Sequence, residues 1–329
     1  MRFALHQLIV ELAGEGAPLR RDWTLIWAGW PQVAKQQPDV RLSIKLVETL
    51  PPLPSAAPYF RDSSGVLLVY RGAEKNTAVL YYPDGALVTV PLTTSTPKPV
   101  HIEGLVTEGA LGNGRLEDIT FTSLAPLLRR HGYYLLHAFA VVKEGHCILL
   151  VGASGSGKTT TGLHLLEQGW HLLANDVVLL AARTDGIYAL PTPGAVSIRP
   201  GTLTLLPGLA GRLGITDLPL AQPITISNRQ LHGGNWGEAG RVTAVYFPQF
   251  SHNPQPITPL PAAVQLAHLM AESIDRWDET ALTGHITFLE RLSQQAHAYR
   301  LPITPGTLPT ILLSGENAQQ PKTGRPQQK

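Results

Sequence analysis

The chain has 329 residues, 43% of them hydrophobic and 15% charged, with a formal net charge of +2. That balance describes a globular protein and excludes a disordered one, while the lack of any Lys/Arg cluster leaves no electrostatic footprint for nucleic acid or an anionic membrane. A single cysteine, Cys147, excludes an internal disulfide and, lying inside an apolar run, reads as core rather than redox chemistry.

The length suits a large core and most naturally two domains. Residues 1–115 read as a mostly β N-terminal module. Phe3 to Glu11, Val40 to Val47, Val66 to Tyr70 and Ala78 to Tyr82 are short segments rich in β-branched and aromatic side chains. Pro83-Asp84-Gly85 joins Ala78–Tyr82 to Ala86–Val90 as a hairpin turn, because proline presets φ and glycine accepts a positive one. The module is therefore expected to be mainly antiparallel. Pro51, Pro52, Pro54 and Pro58 mark one irregular connection and Thr93 to Pro99 another. No residue spacing here suits a metal or a nucleophile, which leaves packing or recognition as its role. The N-terminal apolar stretch is short and carries Glu11, unlike a secretory signal, and no apolar run reaches the roughly 18 residues of a membrane span. Cytoplasmic residence is the expectation.

Residues 116–312 read as an α/β nucleotide-binding domain, and 313–329 as a polar, disordered tail. Leu116 to Arg130 has helical spacing and ends in Arg129, Arg130, His131 and Gly132, as a helix C-terminus should. Tyr133 to Val142 is strand-like, and Lys143-Glu144-Gly145 forms the turn of a hairpin that places His137 in the sheet of the next strand. That strand, Cys147 to Val151, runs into Gly-Ala-Ser-Gly-Ser-Gly-Lys-Thr at Gly152 to Thr159, which fits G-x-x-x-x-G-K-[ST]. Gly155 and Gly157 let the backbone curl with its N–H groups inward, and Thr160 to Glu167 continues as a helix whose N-terminal dipole favours an anion. Such a nest suits polyphosphate. Gly152, Ala153, Ser154, Gly155, Ser156, Gly157 and Thr160 would line it, Lys158 would reach the β- and γ-phosphates, and the Thr159 hydroxyl would ligate Mg²⁺.

Trp170 to Leu180 reads as one hydrophobic strand with Asp176 in its middle, a position that a carboxylate tolerates only with charged partners such as Mg²⁺, and the alternative is a strand that breaks at Ala174-Asn175-Asp176 with Asp176 as a turn or cap residue. Ile187 to Ala189 and Val196 to Arg199 read as further strands, and Arg199 faces either a phosphate or solvent. Thr202 to Leu220 suggests a short helix and loop, and Asn228 to Gly240 an exposed loop or lid. Val242 to Phe247 reads as a buried strand, with helices at Pro261 to Ile274 and Thr280 to Tyr299.

The block LLHAFAVV, ILLVGASGSGKTT, LLEQGWHLLANDVVLL and GAVSIRP resembles the nucleotide-binding domain of HPr kinase/phosphorylase and the wider set of HPr-kinase-like serine kinases. The likeness covers about residues 130 to 200 well and 200 to 310 in outline. It implies a compact α/β P-loop kinase fold related to phosphoenolpyruvate carboxykinase, with ATP and Mg²⁺, and transfer of the γ-phosphoryl to a serine hydroxyl. Lys158 and Thr159 match the loop of that family, His137 its histidine, Asp176 the second aspartate of its Asp-Asp pair, and Arg199 its arginine. Asp176 then deprotonates the acceptor and helps hold the metal. Asn175 and Ser197 stand where the family has two further acidic residues, so Asn175→Asp and Ser197→Glu should strengthen Mg²⁺ dependence. The segment that couples the family to HPr is missing, which points to another serine-bearing protein, peptide or small molecule as acceptor.

Two other classes stand beside a kinase. A non-catalytic ATP-binding regulator would keep the loop and lack the turnover that the two missing carboxylates support. A transporter-type motor ATPase would need a signature of the L-S-G-G-Q kind, and Leu313-Ser314-Gly315-Glu316 is only a partial match in the tail. The residues do not choose between ATP and pyrophosphate as donor, and a homo-oligomer stays open.

Overall fold

The computed structural model describes residues 1–62, 65–74, 76–92, 98–218, 220–231, 237–304, 306–309 and 311. The predicted tail, the partial L-S-G-G-Q match and residues 232–236 of the predicted lid lie outside them.

The fold is mixed α/β. In the N-terminal part, strands β1 (Arg2–Leu5), β2 (Leu8–Glu15), β3 (Val40–Leu46), β4 (Phe60–Arg61), β5 (Leu68–Arg71), β6 (Thr77–Tyr82), β7 (Ala86–Pro91) and β8 (Val100–Val106) form one sheet in the order β1-β2-β3-β8-β7-β6-β5-β4. The Pro83-Asp84-Gly85 turn joins β6 to β7, with Gly85 at φ 123°. Three expectations change. The predicted strand from Phe3 to Glu11 is a hairpin turning at His6, whose φ is 55°. A helix absent from the sequence reading, α1 (Ala17–Ile26), follows β2, with proline in its first turn where the missing N–H costs nothing. It serves as the crossover that lets β2 and β3 pair in parallel, as β3 and β8 also do, so the sheet is not simply antiparallel.

Helix α2 (Arg115–Arg130) then packs on β7 and on β9 (Tyr133–Lys143). Its Arg115 holds the hairpin aspartate Asp84 at 2.6 Å. The hydrophobic core under the first sheet continues through α1 and α2 into Tyr133, Leu135, Val177 and Leu179.

The second sheet contains β9, β10 (His146–Val151), β11 (His171–Ala174), β12 (Val177–Arg183), β13 (Gly186–Leu190), β16 (Gly240–Phe250), β17 (Thr258–Pro259) and β18 (His297–Ile303). Strands β14 (Ala195–Ile198) and β15 (Ile224–Ser227) form a separate ribbon. The second sheet runs in the order β10-β9-β12-β13-β16-β18-β17 with β11 beside β9, and β10 also pairs in parallel with β16, so five strands close into a ring. The predicted hairpin between β9 and β10 is present: His146 pairs with Lys143, and Glu144 and Gly145 take φ values of 52° and 78°. That doubly left-handed turn matches the twist of the flanking strands.

Helix α3 (Lys158–Glu167) covers one face of the ring; α4 (Pro200–Leu205), α5 (Pro207–Arg212) and α6 (Asn228–Leu231) follow β14 and β15. Helices α7 (Ala262–Ala271) and α8 (Leu282–Gln295) cover the other face. The predicted last helix stops at Gln295, and from His297 the chain becomes β18, parallel to β16. Pairing beside β16 buries Ala298, Leu301 and Ile303 of β18, and that tertiary gain overrides the helical reading of the same residues. Among the described residues, no helix is long and apolar enough to cross a membrane.

Gly162 on α3 shows how closely this helix lies on the ring. A Cβ there would stand 2.3 Å from the Phe139 ring of β9. An alanine in a helix interior normally gains about 1 kcal/mol over glycine. Here Gly162→Ala is expected to cost about 1–3 kcal/mol instead, because the fully buried Phe139 has to leave its rotamer. Denaturant melts of the two proteins check the sign.

Candidate functional site

The odd-numbered residues of β9 share one face. Tyr133 and Leu135 enter the core under α2, and Phe139 and Val141 enter the core under α3. His137 lies between the two helix footprints. Its register partner on β12 is Val177, and its neighbour Ala138 pairs with Val151, the last strand residue before the glycine loop. The hairpin therefore brings His137 to the mouth of the loop, as the sequence spacing implies.

The loop joins β10 to α3, with Gly152, Gly155 and Gly157 at φ values of 157°, 84° and 104°. The two later values fall in the left-handed region that glycine tolerates best. Ala153, Ser154 and Gly155 are exposed. Ser156 has its hydroxyl oxygen buried without a hydrogen-bond partner. Lys158 is 5% exposed and folds back on its own loop, Nζ donating to the carbonyls of Gly152 at 2.5 Å and Ala153 at 3.2 Å. Burial pushes its ammonium below the usual lysine range, against the pull of Asp176 and Glu272, and Arg199 adds to the lowering. The guanidinium of exposed Arg199 stands over Gly155, 3.4 Å from where a Cβ would be. Thr159, the second residue of α3, is half-buried, while the Thr160 hydroxyl pairs with Thr202 of α4 at 2.9 Å.

Asp176 does not occupy the middle of a strand. The run from Trp170 breaks after Ala174, and Asp176 takes φ 63° in the gap between β11 and β12. Aspartate tolerates that left-handed backbone better than most residues, and the Ala138 amide holds it by donating to the Asp176 carbonyl at 3.2 Å. The side chain is left 44% exposed, with Oδ1 3.9 Å from His137 Nε2.

Asn175 is buried and bonded to backbone, whereas Ser197 is exposed. Asn175 is 2% exposed, and its Nδ2 donates to the Ala195 carbonyl at 3.2 Å. An aspartate there would lose that donor and set its charge against a carbonyl, so the gain in Mg²⁺ dependence expected of Asn175→Asp does not follow. Ser197 is exposed on β14, opposite Thr225.

Three carboxylates that the sequence reading passed over surround the mouth. Glu272 follows α7 and accepts a hydrogen bond from His137 Nδ1 at 2.8 Å. Asp118, in the first turn of α2, is bound to Arg115 at 2.6 Å; burial raises its pKa most, and Asp176 adds to that. Glu117 is 5% exposed, and its Oε2 accepts from the Ala195 amide at 2.9 Å. Acidic residues in a helix's first turn ordinarily signify only the dipole, so the sequence carried no sign of this role. Among the described residues, no group of three or more His, Cys, Asp or Glu is arranged to hold a metal ion.

Burial raises the Glu117 carboxyl well above its ordinary range, and the nearby Asp176 charge adds to this. The folded state therefore keeps a proton that the unfolded chain releases above about pH 4.5, and stability falls as pH rises from there, by about 1.4 kcal/mol per pH unit, until Glu117 itself ionises. Glu117→Gln keeps an oxygen for the Ala195 amide and removes that dependence. Thermal melts at about pH 5 and about pH 8 should show the substituted protein gaining on the original as pH rises.

Beneath the mouth, Ser273 Oγ lies 3.1 Å from His285 Nε2, and His285 Nδ1 lies 3.4 Å from Asp275 Oδ1. The order imitates a hydrolytic triad, but all three residues are at most 4% exposed and no substrate reaches them. Burial drives His285 down to about 3 and Asp275 up to about 6. The cluster joins helices instead: Arg129 of α2 donates to Asp275 Oδ2 at 2.6 Å, and Ser273 Oγ donates to Leu269 O at 3.0 Å.

No family model matches the chain. No curated protein matches it either. Among solved structures, the chain is similar to the Hpr(Ser) kinase/phosphatase from Coxiella burnetii, at 15% sequence identity over 52% of this chain and 81% of that one, with a TM-score of 0.29.

Proposed function

We propose that the chain is an ATP- and Mg²⁺-dependent kinase of the P-loop type, passing the γ-phosphoryl group to a serine-type hydroxyl of a protein, peptide or small molecule other than HPr. The observation that carries this reading is the glycine loop between strand and helix, with Lys158 buried in it against the cost of desolvation and Arg199 standing across it. The residues fit a triphosphate. Lys158 rests on two carbonyls that phosphate oxygens can replace, and the buried Ser156 hydroxyl lacks a partner.

On this reading the loop amides and the α3 N-terminus cradle the phosphates, and Lys158 turns from the carbonyls to the β- and γ-oxygens. Arg199 clamps the transferred group from the open side. The metal, held by phosphate oxygens with the Thr159 hydroxyl and Asp176, would withdraw charge from the phosphates. Asp176 accepts the proton of the attacking hydroxyl. The N-terminal sheet serves packing or acceptor recognition.

The test is transfer from γ-labelled ATP with Mg²⁺ to a lysate of candidate acceptors. Label on a serine-bearing acceptor, lost in Lys158→Ala and in Asp176→Asn, supports the kinase. Tight MgATP binding with neither transfer nor hydrolysis would replace it with the regulatory reading.

A further inference from the structure

One residue from another element grips both the ring and the backbone of His137. Glu272 Oε2 accepts from His137 Nδ1 at 2.8 Å, and the Glu272 carbonyl accepts from the His137 amide at 2.9 Å. The grip runs on along β9: Ser273 bridges to Leu136, and the Ile274 amide reaches the Leu135 carbonyl at 3.5 Å. Residues 272–274 thus lie along β9 where β10 no longer pairs with it. The segment is fastened from below by the buried Arg129–Asp275 pair and by Arg130, which donates to Asp278 Oδ2 at 2.8 Å. So firm an attachment is what a catalytic imidazole needs to keep one orientation.

A carboxylate at hydrogen-bond distance from Nδ1 keeps the ring proton on that nitrogen and leaves Nε2 with its lone pair. Nε2 faces Asp176 Oδ1 at 3.9 Å, a gap of the kind that closes when substrate arrives. The other charged groups acting here are Asp118 from α2 and Lys158 from α3, which interact electrostatically with His137 and with the Asp176 and Glu272 carboxylates respectively.

We infer that Glu272 is a positioning residue that fixes the His137 ring with Nδ1–H on its carboxylate, so that Nε2 receives the proton Asp176 takes from the acceptor hydroxyl. This rests on the kinase reading. The acceptor oxygen forms its bond to the γ-phosphorus as the bond from that phosphorus to the bridging oxygen breaks, and ADP leaves with the electron pair. The hydroxyl proton passes to Asp176 and then to Nε2, giving an imidazolium flanked by two carboxylates. Asp176 is thereby restored as an anion within the same turnover.

Two measurements on the full chain test this. Ring-nitrogen NMR of isotope-labelled histidine, with His137 assigned by loss of its signal in His137→Gln, reports the tautomer without nucleotide. The original protein should carry the proton on Nδ1, Glu272→Ala should lose that preference, and Glu272→Gln, whose amide oxygen still accepts, should keep it. In parallel, label transfer in Glu272→Ala should show kcat reduced about 10–100-fold at an unchanged KM for ATP, with Glu272→Gln recovering most of the rate. An unchanged tautomer or an unchanged kcat in folded Glu272→Ala overturns the positioning role. Absence of transfer by the original protein overturns the kinase reading and the proton route with it, while the tautomer still decides what Glu272 does to His137.

Discussion

Arg129→Leu is expected to destabilise the fold by about 3–5 kcal/mol, because it leaves the Asp275 carboxylate buried without its partner. Asp275 is fully buried and Arg129 is 5% exposed. Arg129 also donates to the Asp275 and Asp278 carbonyls, so its loss strips two acceptors as well as a charge. With desolvation already pushing Asp275 up to about 6, removal of the guanidinium pushes it further. The melting temperature should drop by roughly 4–7 °C for a chain of this size. Arg129→Leu combined with Asp275→Asn should lose less than Arg129→Leu alone, since no uncompensated charge then remains inside. Equal losses in the single and double variants would show that the packing of the arginine stem, and not the ion pair, is what matters.

Lys158→Ala is expected to leave stability nearly unchanged while lowering phosphoryl transfer at least about 10²–10³-fold. The two effects separate because the ammonium is held where desolvation disfavours its charge, and its bonds are to carbonyls of the same loop. A buried amine of this kind contributes little net stability, so its presence points to work done on a ligand. Thermal melts and label transfer on one preparation check both halves. A variant that melts far below the original would instead mark Lys158 as a structural pin of the loop.

The position of the glycine loop between β10 and α3 was legible because every part of it is local: an apolar strand, glycines where the backbone turns left-handed, and a helix immediately after. The placing of His137 was legible for a similar reason, since Lys143-Glu144-Gly145 dictates the hairpin register. For Asp176 the sequence favours a mid-strand place over the break at Ala174-Asn175-Asp176, and the break is what the structure has. The run from Trp170 to Leu180 has no glycine or proline to announce its break, and Asn175-Asp176 are the only polar residues marking it. The end of α8 escaped for the same lack of punctuation between Gln295 and Tyr299. Glu272 could not have been found, because it meets His137 across 135 residues through a segment that reads as the last turn of a helix. Glu117 and Asp118 belong to the same class: their meaning depends on where α2 points, and no local pattern encodes that.

Strand β9 has neighbours along both edges: β10 and then residues 272–274 on one side, β11 and β12 on the other. Backbone amides so enclosed exchange with solvent only when the whole fold opens. His137 hangs on this strand, and the Asp176 carbonyl is bonded to its next amide. On the proposed reading the groups that handle the proton thus sit on an enclosed strand, and the motion that admits and releases substrate is expected on the α4–α6 side, beside the separate β14–β15 ribbon.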